Sequence, residues 1–185
     1  MVDKDFTIRP MNKEDFPQVQ EIYEFGLETG HAAYEKSAPT WEQFISKKIM
    51  DMALVAVEND DPDFVIGWIT AAPISSRAVF HGVVEDSVYI HPKGQGRGVG
   101  GALLDALIEM CLEQGRWSMH SWIFPENTGS AKLHESRGFT KIGTMHQMAR
   151  MTYGEMKGQW RDCDLWERLL PLPDDPAEEM DVAEA

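Results

Sequence analysis

The spacing of apolar and polar positions divides the chain into alternating strand-like and helix-like segments. "FTIRPM" reads as a first strand. "NKEDFPQVQEIYEFGLETG" reads as a helix, with Asn12 as N-cap, acids in the first turn and Gly30 as the stop; Pro17 shifts the start toward Asp15. "TWEQFISKKI" predicts a second helix, with Thr40 and Gln43 spaced as a capping box. "MALVAVE" and "FVIGWITAA" flank the turn "NDDPD" and predict a hairpin. "VVEDSVYIHP" is a further strand, ended by Pro92. "GVGGALLDALIEMCLEQG" follows as a helix with Leu104, Leu107 and Cys111 on one stripe. "RWSMHSWIF", "FTKIGTMHQ" and "DCDLWERLL" predict three more strands, and "NTGSAKLHESRG" a short helix stopped by Gly138. No repeat and no linker precedes residue 171, so the pattern describes one α/β unit with a mixed sheet.

Composition narrows the function classes. The chain has 185 residues, 43% of them hydrophobic, enough for one domain with a sizeable core. It contains no run of 18 apolar residues, so no membrane span is expected, and "MVDKDFTIRP" lacks the apolar stretch of a signal peptide. Two cysteines without a CxxC suit a reduced, cytoplasmic protein rather than a disulfide scaffold. A net charge of -14 argues against a nucleic-acid partner. The tail from residue 171, "PLPDDPAEEMDVAEA", holds six acids and no base, and is expected to be a disordered appendix to a domain spanning residues 1–170.

The segment that carries chemistry is "YIHPKGQGRGVGGALLDALIEM", beginning at Tyr89. "GRGVGG" matches G-x-G-x-x-G at Gly96, Gly98 and Gly101. A dinucleotide site would also want an acid about 20 residues on, and "HSWIF" offers none. An ATP-type loop would need Gly-Lys-Ser/Thr, which is absent. The remaining reading is an anion cradle. Uncovered peptide N–H groups at a helix N-terminus hold a pyrophosphate, with Arg97 adding positive charge.

The spacing Gln95-x-x-Gly98-x-Gly100, between a strand and a helix, resembles the coenzyme A pyrophosphate loop of the GNAT acyltransferase superfamily. "NTGSAKLHESRGF", from Asn127 to Phe139, resembles that superfamily's second signature. "VVEDSVYIHPKGQGRGVG" is similar to the phosphinothricin and methionine-sulfone N-acetyltransferase branch, and the likeness extends from about residue 6 to 170 through "TWEQF", "APISSRAVFHGVVE" and "KGQWRDCDLWERLL". The resemblance implies a single GNAT-fold domain (α/β, or α+β), with a mostly antiparallel twisted sheet of about six to seven strands and about four helices. It implies acetyl-CoA as co-substrate and a homodimer. Val88, Tyr89 and Ile90 would then meet the pantetheine through their main chains. The segment Gln95, Gly96, Arg97, Gly98, Val99, Gly100 and Gly101 would hold the pyrophosphate, and Asn127 and Ser136 would add coenzyme contacts. Two stretches depart from the branch: "TGHAAYEK" carries His31 and Tyr34, and "SSRAVFH" keeps Arg77 but has Phe80 and His81.

Acetyl transfer to an amine requires that the amine lose a proton, that the developing oxyanion find donors, and that the leaving thiolate be protonated. Glu85 is the candidate base, with Asp86 as rival; adjacent strand residues face opposite ways, so only one should line the cleft. A strand N–H after Glu85 would serve the oxyanion, and His134, where relatives often carry tyrosine, would protonate the thiolate. Arg77 would clamp an acceptor carboxylate or phosphinate through its planar fork, and Tyr34, Phe80, Trp68 and Trp160 would wall a small pocket. Cys111, on an apolar stripe, and Cys163, with no paired histidine, read as packing residues. No HxH, HExxH or CxxC suggests a metal. The acceptor is expected to be a small amino-acid-like amine acetylated directly in a ternary complex. A protein N-terminus, a polyamine, or a non-catalytic acetyl-CoA-binding module are the alternatives.

Overall fold

The computed structural model describes residues 5–173; most of the acidic tail therefore lies outside the described residues. Strand β1 (Phe6–Pro10) leads through a 3-10 turn, Lys13–Asp15, into helix α1 (Phe16–Glu28). The helix does begin beyond Asp15. Pro17 sits in its first turn, where its missing N–H has no intrahelical partner to lose. Helix α2 (Trp41–Ile45) carries the expected reciprocal cap: Gln43 N donates to Thr40 Oγ1, and Thr40 N donates to Gln43 Oε1. It is shorter than the pattern suggested, and Lys47 and Lys48 fall beyond it.

The hairpin of β2 (Ile49–Glu58) and β3 (Val65–Pro73) forms as expected, followed by β4 (Val83–Ile90), α3 (Val99–Glu113), β5 (Ser118–Ile123), α4 (Thr128–Glu135), β6 (Thr140–Arg150) and β7 (Trp160–Leu169). The seven strands make one sheet in the order β1-β2-β3-β4-β5-β7-β6, antiparallel throughout except between β4 and β5. That parallel pair needs a crossover, and α3 supplies it.

Two cores back the sheet. On one face Leu103, Leu104, Leu107 and Cys111 of α3 are wholly buried against Ile66, Ile69, Val84 and Met119. Each such aliphatic side chain contributes about 1.5–3 kcal/mol through burial. On the other, Val19 and Ile22 of α1 pack with Phe44, Val55 and Trp68. Trp68 is fully buried there, so it belongs to the core and not to a pocket wall. Trp160 is 59% exposed at the start of β7.

The feature that organises the rest is a fork. β4 pairs with β3 from Val84 to Ile90, but with β5 only at Val83, Val84 and Glu85. β5 meanwhile stays paired with β7 as far as Ile123. Beyond Glu85 the two strands part, leaving main-chain groups of residues 86–90 on that edge without a strand partner.

Candidate active site in the split between β4 and β5

A cleft of about 1490 Å³ occupies the fork, bordered by α1, the α1–α2 connection, β4, the start of α3, β5 and α4. It exceeds the 300–1,000 Å³ of an ordinary small-ligand pocket, leaving space for a long ligand and a second molecule.

One end is the glycine segment. Gly96 and Gly98 sit at φ +73° and +79°, the left-handed region that side chains resist, and Gly98 opens α3 from there. A Cβ at either position would meet nothing within 4 Å, so the demand is conformational and the space in front of the loop is open. Among the described residues, none of the peptide N–H groups from residue 96 to 101 makes a hydrogen bond of ordinary geometry to a carbonyl or side chain; the first of α3 to do so is Ala102, to Gly98 O. Gln95, Gly96, Gly98, Val99, Gly100 and Gly101 line the cleft. Their uncommitted donors and the positive end of α3 fit a diphosphate.

Arg97 departs from expectation. Its fork is spent outside the cleft on Glu58, at 2.6 and 2.7 Å, and on Asp5 at 2.7 Å. The cation that lines this end of the cleft is Arg137, just past the end of α4. It bonds Asp105 and Ser136 Oγ and lies so close to Gly101 that a Cβ there would fall 2.0 Å from Nη2. Sequence reasoning passed over it, because "SRGF" looks like a helix terminus.

Val88, Tyr89 and Ile90 form the exposed edge of β4 along the cleft. The Tyr89 ring packs against both Trp68 and Tyr23, at 4.7 and 4.8 Å, in a triangle of three rings, and its hydroxyl donates to Ala32 O. Asn127 also lines the cleft, but both ends of its amide are engaged: Oδ1 caps α4 by accepting from Ser130 N, and Nδ2 donates to His31 O. Arg161, 3% exposed, secures the same loop through Gly30 O, His31 Nδ1 and Glu126. Tyr34 borders the cleft with its ring 4.6 Å from Phe124. Ser136 does not: its hydroxyl turns back to Leu133 O on the exposed end of α4. Arg77 and Phe80 are likewise outside it, exposed on the β3–β4 connection around the turn Ala78–Phe80.

Glu85 stands at the apex, the last β4 residue paired with β5. It is half-buried, lines the cleft and makes no hydrogen bond or ion pair among the described residues. Burial pushes its carboxyl above the ordinary range, Lys48 pulls it partway back, and Asp86 and Glu35 push it up. Asp86 also borders the cleft, against the expectation that only one of the pair would. A fork opens both sheet faces at once, so alternation does not exclude either neighbour. Their environments differ, however. Asp86 is 5% exposed and its Oδ2 accepts from His134 Nε2 at 3.0 Å.

His134 is 1% exposed, and its Nδ1 donates to Ser130 O at 2.8 Å. Acceptors face both ring nitrogens, an arrangement that favours the doubly protonated ring. Burial opposes that charge, but Asp86 and Ser130 outweigh it and hold the pKa above the usual histidine value. Lys48 was not anticipated: half-buried on the cleft wall, it donates from Nζ to Ser87 Oγ at 2.9 Å. Cys111 and Cys163 are buried and unpaired, and burial pushes the Cys111 thiol up to about 12, which suits packing rather than nucleophilic attack.

This arrangement has known counterparts. Residues 16–139 match the acetyltransferase (GNAT) family. The chain is 30% identical over 172 residues to the phosphinothricin N-acetyltransferase of Alcaligenes faecalis, covering 91% of this chain and 84% of that one. It is 30% identical over 168 residues to the L-methionine sulfoximine/L-methionine sulfone acetyltransferase of Salmonella typhimurium, covering 89% and 94%. The crystal structure of a GNAT superfamily phosphinothricin acetyltransferase from Sinorhizobium meliloti in complex with AcCoA superposes with a TM-score of 0.78 at 28% identity, covering 94% of this chain and 91% of that one. A forked sheet, an uncommitted amide loop at its base and the family match across most of the domain lead to one assignment: the chain belongs to the acetyltransferase (GNAT) family.

Proposed function

We propose that the chain is an acetyl-CoA-dependent N-acetyltransferase whose acceptor is the amino group of a small amino-acid-like molecule of the phosphinothricin, methionine sulfone or methionine sulfoximine type. The observation that carries this reading is the run of uncommitted N–H groups from residue 96 to 101, opening on a cleft with Glu85 at its apex. Acetyl-CoA supplies the activated acyl carbon and its thiolate leaving group. In this reading the loop amides hold the diphosphate, with Arg137 as the neighbouring cation, and the edge of β4 from Asp86 to Ile90 aligns the pantetheine as a strand would. Glu85, raised by burial, takes the proton from the acceptor ammonium. His134, whose raised pKa favours the protonated ring, is the proton donor of this reading on the leaving-group side, and donation to the thiolate requires one ring N–H to leave Asp86 or Ser130 O. Direct transfer is favoured because neither cysteine has the exposure or the partner of a nucleophile.

The same reading includes a homodimer in the cytoplasm. Support for the dimer is β6, an eleven-residue edge strand with Ile142, Met145 and Met148 each about half exposed, which a second copy would cover. Two free thiols suit a reducing compartment.

The deciding experiment is release of free thiol from acetyl-CoA across methionine sulfone, methionine sulfoximine, phosphinothricin, spermidine and short peptides. Turnover is expected with the three amino-acid analogues. Turnover confined to spermidine or peptides would replace the acceptor assignment, and no stabilisation by acetyl-CoA in a thermal-shift titration would end the coenzyme assignment.

A further inference from the structure

Neither Arg77 nor Arg97, the two cations that the sequence marked for anion binding, lines the cleft: Arg77 is exposed on the β3–β4 connection and Arg97 is held by Glu58. Arg137 lies at the glycine-loop end, against Gly101. On the wall beside Glu85 the cleft is bordered by Lys47, which is exposed, and Lys48, which is not.

Lys48 Nζ donates one hydrogen to Ser87 Oγ at 2.9 Å, and no carboxylate lies within ion-pair distance of it among the described residues. Burial lowers its pKa, while Glu85, Asp86 and Glu35 pull it back up. A half-buried ammonium with two hydrogens to spare costs desolvation that nothing nearby repays in full. Glu85 sits two residues before Ser87 on the same face of β4 and has no hydrogen-bond or ion-pair partner among the described residues either. The wall therefore presents an unspent cation at Ser87 and an unspent anion at Glu85, two residues or about 7 Å away along the strand. Asp86 is engaged by His134, and Glu35 accepts from the Tyr23 hydroxyl. Ser87 accepts from Lys48 through oxygen and so keeps its own hydroxyl hydrogen for donation.

We propose that Lys48, with Ser87 beside it, receives the carboxylate of the acceptor while Glu85 faces its ammonium, making the protein selective for free α-amino acids over amines that lack the acid group. This rests on the acceptor class proposed above. Three donors, two from Lys48 and one from Ser87, converge on a carboxylate placed there, and the position of Glu85 then brings the amino group to the apex of the fork. The charge pattern is that of a zwitterion.

The test compares kcat/KM for methionine sulfone and for its carboxamide, by thiol release, in wild type, Lys48→Met and Lys48→Arg. Comparing the acid-to-amide ratio between proteins cancels the different basicity of the two amines and any general effect on Glu85. Lys48→Met is expected to lower the ratio about tenfold or more, chiefly through KM for the acid, and Lys48→Arg to restore part of it. A change of less than twofold, whether or not overall activity falls, overturns the proposal. Acetyl-CoA thermal shifts establish that each variant is folded, with Lys48→Gln replacing the methionine variant if it is not. Wild type that turns over neither compound but does acetylate spermidine would overturn the acceptor class itself, and this inference with it.

Discussion

His134 Nε2 donates to Asp86 Oδ2 at 3.0 Å, with both side chains 1% exposed, and this contact links α4 to β4 across the fork. The folded pKa of His134 is raised, so its contribution to stability is fully present below the ordinary histidine value near 6.5 and is lost as pH rises through the folded value. Asp86→Asn removes the counter-charge. Urea unfolding at pH 6 is expected to show a loss of about 3 kcal/mol, and at pH 9 a smaller one. Equal losses at both pH values would mean that the ring is not charged in the fold.

Glu85 must be ionised to accept a proton, and its raised pKa moves the rising limb of activity above the ordinary carboxylate range. Glu85→Gln is expected to lower kcat/KM about 100-fold at pH 7 and less at pH 9, where more of the acceptor is already neutral. Thiol-release profiles of both proteins check this. An unchanged profile in the variant would remove Glu85 from the chemistry.

The two arginines near the glycine loop should behave differently. Arg137→Gln is expected to weaken acetyl-CoA binding about tenfold, with a reduced salt dependence, because Arg137 lines the cleft beside Gly101. Arg97→Gln is expected to change the affinity less than twofold, because that guanidinium is held by Glu58 and Asp5. Calorimetric titration of each variant decides the matter.

Asn127 combines a cap with a loop tether, and substitution separates them. Asn127→Ala should lose about 1 kcal/mol by thermal unfolding, since Ser130 N loses its acceptor. Asn127→Ser keeps a capping oxygen and should retain most of that stability, while still releasing His31 O. A fall in coenzyme affinity shared by both variants would assign the affinity to the amide nitrogen rather than to the helix end.

The glycine loop, the capping box and the strand ended by Pro92 were legible because their causes are local: a positive φ, a three-residue spacing, a missing N–H. The last strands were read short. β6 runs to Arg150 through an irregularity between Met145 and Ala149, with Gln147 at φ +54°, that no alternation announces. What escaped was set by distant partners. Arg97 looked free to meet a phosphate until Glu58, 39 residues earlier, was folded against it. "ISKKI" looked like the solvated end of a helix, and only the approach of Ser87 makes Lys48 part of a cleft wall. Arg77 and Phe80 lie outside the cleft for the converse reason: the branch resemblance located their segment, but not the path of the β3–β4 connection.

Because β4 and β5 separate after a single short ladder, two strand margins face one gap. A ligand laid into that gap acts as an eighth strand, joining halves of the sheet that otherwise meet only at Val83 to Glu85. The amide hydrogens of Asp86, Val88 and Ile90, which alternate with those donated to β3, should then exchange slowly with solvent only while the gap is filled. Coenzyme occupancy would thus stiffen the sheet as a whole, before any acceptor arrives.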